Sequence, residues 1–159
     1  MDDTRATANR DRTQEVIKRP KRPEKGEVAS FGAAAQTERF SMQRLMLRAK
    51  IHGAVITDTQ LDYDGSITLD SDLLRRADML PGEQVHVLNL NNGNRFITYT
   101  IAAPAGSGAV ILNGPAARLG ETGDRVIVLS YGMCDEAEAR GLEPRIVRMG
   151  EGNQPRGGD

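Results

Sequence analysis

From Leu47 onward the bulky apolar residues come in short runs, several of them alternating with polar residues, and each run is closed by glycine, proline, asparagine or aspartate. Runs this short fit strands better than helices, and many short strands with few helices point to a small closed β-barrel. The first strand is expected through Ile51 and Val55, ending near Thr57, and others over 66–69, 85–90, 95–101, 109–112, 125–131 and 145–149. Asn92-Gly93 between two such runs is a hairpin signal. Asp58-Thr59-Gln60 and Tyr63-Asp64-Gly65 read as turns, because their polar side chains compete for backbone groups. Asp70 or Ser71 caps a brief helix to about Asp78, with Leu73, Leu74 and Ala77 on its apolar side and Leu80-Pro81-Gly82 stopping it. A second short helix is expected over 135–140, ended by Gly141. Strand order is not encoded in this pattern.

With 159 residues, a net charge of -1 and 38% apolar residues, the chain suits one modest soluble domain with polar flanks. No apolar run approaches the roughly 20 residues that span a membrane, and no signal-like segment opens the chain. Cys134 is the only cysteine, with no neighbouring cation in sequence to activate it, so it reads as structural and a reducing cytoplasm as the expected compartment. No His/Cys/carboxylate cluster has metal-site spacing, so no metal is expected. No glycine-rich nucleotide motif is present either. The near-zero net charge argues against a nucleic-acid binder, whose affinity rests on neutralising phosphates. Residues 18–25, Lys-Arg-Pro-Lys-Arg-Pro-Glu-Lys, are the local exception. They lie in a polar stretch, 1–41, that buries too little to fold and is expected as a disordered extension. Residues 42–150 are expected as the barrel and 151–159 as a flexible tail.

Tyr63-Asp64-Gly65-Ser66 carries the chemistry. A serine hydroxyl can attack the preceding carbonyl and turn the peptide bond into an ester. Loss of the serine α-proton then eliminates the glycine carboxylate, and hydrolysis of the resulting dehydroalanine leaves a pyruvoyl group, a ketone that amines attack to form Schiff bases. Glycine suits the leaving side because it tolerates positive φ and leaves its carbonyl open. A Gly-Ser pair is ordinarily a turn, as Gly106-Ser107 illustrates in a stretch that reads as a flexible loop.

Gly65-Ser66 is set apart by its company: Arg48-Ala49-Lys50-Ile51-His52 before it, then residues 92–99, Asn-Gly-Asn-Arg-Phe-Ile-Thr-Tyr, then Asn113-Gly114-Pro115-Ala116-Ala117. In that order and spacing, from about Met42 to about Met149, the chain resembles the pyruvoyl-dependent aspartate 1-decarboxylases, which make β-alanine for pantothenate synthesis. The resemblance implies a double-psi β-barrel assembled as a homotetramer with active sites between subunits. It implies cleavage between Gly65 and Ser66, with Ser66 the pyruvoyl precursor, Tyr99 the proton donor, and Thr98 a substrate contact that assists cleavage. Gly114, Pro115 and Ala116 match a pocket-lining backbone segment, where the family commonly has alanine at the position of Pro115; proline supplies no N–H. Lys50 and Arg95 match pocket cations, Tyr63 and Asn113 match positions near the cleavage site, and His52 has counterparts but no assigned proton transfer. A helper protein for maturation is compatible with this picture.

A cation on the carboxylate that leaves as carbon dioxide would stabilise the ground state over the transition state. Arg95 is therefore expected to grip the side-chain carboxylate of L-aspartate with its planar fork. Neighbouring strand residues face opposite ways, so Thr98 and Tyr99 serve one pocket only if a bulge intervenes or the site lies at a strand edge between subunits. The alternative function is a non-cleaving barrel that contacts nucleic acid through residues 18–25. Gly65-Ser66 together with Arg95, Thr98 and Tyr99 is a set that such a module has no reason to carry. His86 reads as a partly exposed strand residue.

Overall fold

The computed structural model describes residues 42–63 and 65–157, and the expected amino-terminal extension lies outside them. The described chain forms β1 (Arg44–Val55), β2 (Asp58–Gln60), β3 (Ser66–Asp70), α1 (Ser71–Ala77), β4 (Gln84–Asn89), β5 (Arg95–Ala103), β6 (Val110–Asn113), β7 (Arg125–Cys134), α2 (Glu136–Gly141) and β8 (Arg145–Arg148), with 3-10 turns at Gly114–Arg118 and Glu151–Asn153. The strands form one sheet in the order β2-β6-β3-β5-β4-β7-β1-β8.

That order closes into the expected barrel because β2 at one end continues directly from β1, the strand beside β8 at the other end. β1 pairs with β7 and β8, β2 pairs with β6, and only Ile56 and Thr57 separate β1 from β2. The two linking residues are pinned as well. Ile56 N–H donates to the Asp124 carbonyl, and Thr57 N–H to the Val110 carbonyl, both at 2.8 Å. Inside lie Ile51, Ile56, Ile67, Leu69, Leu73, Val85, Val87, Val110, Leu112, Val126 and Val128, all essentially inaccessible; this apolar burial is the main favourable contribution to folding.

The helix expected after Asp70 forms, with the Asp70 carboxylate accepting from Asp72 N–H and Asp78 closing the helix in the left-handed region. The Asn92-Gly93 signal marks a real hairpin between antiparallel β4 and β5, with Gly93 at φ 77°. Two expectations are corrected. Residues 58–60 are not a turn but a strand, parallel to β6. The Asp58 carboxylate does accept from Thr59 N–H at 2.8 Å, so the local turn chemistry is present, yet continuation of β1 across the barrel lays these residues against a partner. The stretch beyond residue 150 is not a free tail up to Gly157. Asn153 is 3% exposed; its Oδ1 accepts from Val55 N–H at 2.7 Å, and its Nδ2 donates to the Val55 and Gly108 carbonyls at 2.8 and 2.9 Å. Arg156 N–H donates to the Arg148 carbonyl. One side-chain amide thus satisfies buried backbone groups of two elements, which docks the segment.

Candidate active site

Ser66 opens β3 at a crowded place. The strand lies between β6, where Ser66 faces Asn113, and β5, where the ladder starts at Ile67 and Thr100. Ser66 is 3% exposed, and its φ is 103°, next to Gly65 at 100°. Glycine takes such a backbone without penalty. A residue with a Cβ stores about 1–3 kcal/mol of strain there, which persists only because the surroundings impose it. The strained serine sits on the Gly65–Ser66 bond itself.

The imposing surroundings are the end of β6 and the turn after it. Asn113 is 1% exposed, and its Nδ2 donates to Thr68 Oγ1 at 2.8 Å and more weakly to Ser66 Oγ at 3.4 Å. Gly114 has φ 54°, and a Cβ there would lie 2.6 Å from the Tyr63 carbonyl oxygen and 2.8 Å from Gly65 Cα and N. No side chain fits, so the backbone of Gly114 is what braces the dipeptide. Pro115 starts the 3-10 turn, and its Cδ is 3.9 Å from where a Cβ on Gly65 would stand. Ala116 is buried behind it. Tyr63, Gly65, Ser66, Asn113, Gly114 and Pro115 are thus brought together by one chain. Thr68, which fixes the Asn113 amide, escaped the sequence reading; its signal was its place two residues after Ser66 on the same strand.

The other site residues stand on β1 and β5. Among the described residues no side-chain hydrogen bond joins Ser66 to Lys50, Arg95, Thr98 or Tyr99. β5 pairs with β4 without a register shift from Arg95 opposite Leu88 to Tyr99 opposite Gln84, so the bulge considered above is absent. Arg95, Ile97 and Tyr99 are exposed, while Phe96 and Thr98 between them are half-buried. Thr98 and Tyr99 therefore face opposite sides of the strand. Both precede the first β3–β5 pair, so they lie at the end of that ladder where Ser66 begins. Lys50 on β1 and His86 on β4 sit opposite the same residue, Leu129 on β7. The row places Lys50 on the face that carries Arg95 and Tyr99.

Arg95 has company there that the sequence did not disclose. Its Nη2 donates to His86 Nδ1 at 3.2 Å and to Tyr131 Oη at 3.4 Å, and the His86 and Tyr131 rings are 5.0 Å apart. His52 Nδ1 is buried without a hydrogen-bond partner among the described residues. Burial, then the charges of Lys50, Arg125 and Arg148, push the His52 pKa down. Among the described residues no group of three or more His, Cys, Asp or Glu could hold a metal ion.

Taken together, the site is a strained, buried Gly-Ser bond braced by a side-chain-free backbone, with a hydroxyl and amide around it and cations on an adjoining face. The family description "Aspartate decarboxylase" matches residues 42–156, which includes every one of these residues. The chain is 49% identical over 114 residues to "Aspartate 1-decarboxylase" of Thermoanaerobacter pseudethanolicus, covering 72% of this chain and 97% of the relative. It is 56% identical over 113 residues to "Aspartate 1-decarboxylase 1" of Gloeobacter violaceus, covering 71% and 96%. With "Aspartate 1-decarboxylase" of Syntrophobacter fumaroxidans the identity is 51% over 114 residues, 72% of this chain and 92% of the relative. The match spans the whole barrel, Gly65-Ser66 and the cationic face, and on that ground the chain belongs to the aspartate decarboxylase family.

Proposed function

We propose that this chain is a self-processing aspartate 1-decarboxylase that converts L-aspartate to β-alanine and carbon dioxide, supplying pantothenate synthesis. The observation that carries the processing step is Ser66 at φ 103°, buried and braced by Asn113 and Gly114. Ser66 Oγ attacks the Gly65 carbonyl carbon and the C–N bond breaks, which releases the strain held in the serine backbone. The Ser66 α-proton and the Gly65 carboxylate then leave, water is taken up, ammonia is lost, and a pyruvoyl group ends the longer chain. The dipeptide fits that group: Gly65 has no side chain beside its carbonyl, and the serine it precedes is already out of regular strand geometry. The group supplies an electrophilic carbonyl that holds the substrate amine and accepts the electrons left by carbon dioxide.

The chain's own residues do the rest. Arg95, with Lys50 on the same face, holds the carboxylate that stays, because a cation on the departing one would oppose the reaction. Tyr99 delivers a proton from its phenol hydroxyl to the carbon that carbon dioxide leaves. Thr98 contacts the substrate, and Gly114 to Ala116 line the pocket. Pro115 contributes no N–H, so it shapes that wall without donating to the substrate. The exposed side chains of Ile97 and Tyr99 on the same face support assembly as a homotetramer, in which a second copy covers this surface. No described helix is long and apolar enough to cross a membrane. The compartment proposed for this enzyme is the cytoplasm, on the ground of its single cysteine. A maturation helper protein is compatible with a dipeptide that is strained but still intact.

Denaturing mass spectrometry of the purified protein tests this. Two chains are expected, one ending at Gly65 and one with a blocked amino terminus, while Ser66→Ala remains a single chain without β-alanine release. An intact wild-type chain that still decarboxylates aspartate would sink the mechanism.

A further inference from the structure

We infer that His86 is a positioning residue for substrate binding: it sets the direction in which Arg95 presents its guanidinium. The inference rests on the proposed role of Arg95 and adds the groups that orient it.

Three strands contribute. Arg95 on β5 lies opposite Leu88, two residues past His86 on β4, and His86 lies opposite Leu129, two residues before Tyr131 on β7. The three side chains form a diagonal across the outer face, the spacing at which long side chains on adjacent strands meet. Arg95 Nη2 donates to His86 Nδ1 at 3.2 Å and to Tyr131 Oη at 3.4 Å. An arginine only donates, so in this contact Nδ1 is the accepting nitrogen of the ring. The tilted ring packing of His86 on Tyr131 at 5.0 Å fixes the imidazole in turn. No carboxylate pairs with Arg95 among the described residues, so its charge is held by two neutral acceptors and stays uncompensated. With Nη2 committed, Nη1 and Nε remain for a carboxylate. An exposed arginine without such anchors would spread over many rotamers and lose that entropy on binding. His86 removes part of that cost before substrate arrives.

The test compares His86→Leu, which keeps bulk but accepts no hydrogen bond, with His86→Asn, whose Oδ1 can accept from Arg95. Tyr131→Phe and Arg95→Leu accompany them, and processing by mass confirms that each variant folds. Binding of succinate, a dicarboxylate without an amine, is measured by calorimetry on the processed protein, alongside KM and kcat for aspartate. His86→Leu is expected to raise both the succinate Kd and KM about tenfold, the scale of one hydrogen bond to a charged group, with kcat within about twofold. His86→Asn is expected to recover most of that loss, and Tyr131→Phe to show a smaller shift of the same kind. Equal losses in His86→Leu and His86→Asn, or a fall confined to kcat, would overturn the inference. So would wild-type succinate binding in His86→Leu and Tyr131→Phe when Arg95→Leu has lost it. If Arg95→Leu binds succinate normally, the role of Arg95 fails first and the inference with it.

Discussion

The cleavage dipeptide and the outer face of β5 are built on opposite principles. Around Gly65-Ser66 the backbone of one chain closes in so tightly that position 114 has no room for a side chain. Across the outer face, Arg95, Ile97 and Tyr99 stand exposed, and Arg95 is held by the side chains of His86 and Tyr131. The difference matches two tasks. For the proposed cleavage, the groups that brace the bond all belong to one subunit. Holding a diffusing substrate needs an accessible surface and exact donors. Strain serves the first task and accessible charge the second.

The sharpest way to break this contrast is Gly114→Ala. The new Cβ would overlap backbone atoms of Tyr63 and Gly65, and its φ of 54° disfavours any side chain. Processing should slow roughly 100-fold, the cost of displacing reacting groups by about an ångström, as read by the fraction of intact chain over time. Normal cleavage would show that the close backbone contact is incidental.

Tyr99→Phe probes the other region. Chain cleavage should proceed while turnover falls roughly 100-fold, the scale of losing a positioned general acid. Separate readouts, mass for cleavage and β-alanine release for turnover, keep the two apart. An uncleaved variant would merge the regions that the structure separates.

A smaller effect is expected at the far end of β3. Asp70 is 3% exposed and accepts from the backbone N–H groups of Asp72, Gly106 and Gly108. Burial pulls its pKa upward, but those N–H groups and the Ser107 hydroxyl outweigh burial and hold it below the ordinary carboxyl value. A lowered folded pKa means a stabilisation fully present above the unfolded pKa near 4 and lost as pH falls through the folded value. Asp70→Asn should cost about 2 kcal/mol at neutral pH and flatten the loss of stability below about pH 4. Urea unfolding at pH 7 and pH 3 checks both. An unchanged acid profile would show that this end of β3 is held by packing alone.

What was legible in the sequence is what neighbours in the chain determine. The Asp70 cap, the Asn92-Gly93 hairpin and the alternation of β4 are local, and they stood out without coordinates. The pairing of residues 58–60 with β6 was hidden because Asp58 carries turn chemistry whose outcome depends on a strand about fifty residues away. Asn153 looked like part of a polar tail, since nothing in its own segment shows the backbone groups of Val55 and Gly108 that it satisfies. The cleavage dipeptide was recognisable by resemblance, but its strain was not, because the φ of Ser66 is imposed by Asn113 and Gly114 across a strand pair. The diagonal from Arg95 through His86 to Tyr131 depends on the register of three strands and has no signature in one dimension.

The place of the Gly65–Ser66 bond between β2 and β3 has a further consequence for the life of the molecule. Both strands flank β6, one parallel and one antiparallel, and β1 is laced to β7 and β8. A cut between 65 and 66 therefore leaves every ladder intact, and the two pieces stay interlocked as long as the barrel stays folded. Once unfolded they are separate molecules that must find each other again, at a cost set by concentration rather than by a tether of a few residues. On the proposed maturation, folding guided by an unbroken chain is available only once, before the cut. Afterwards its persistence is a matter of how slowly it comes apart.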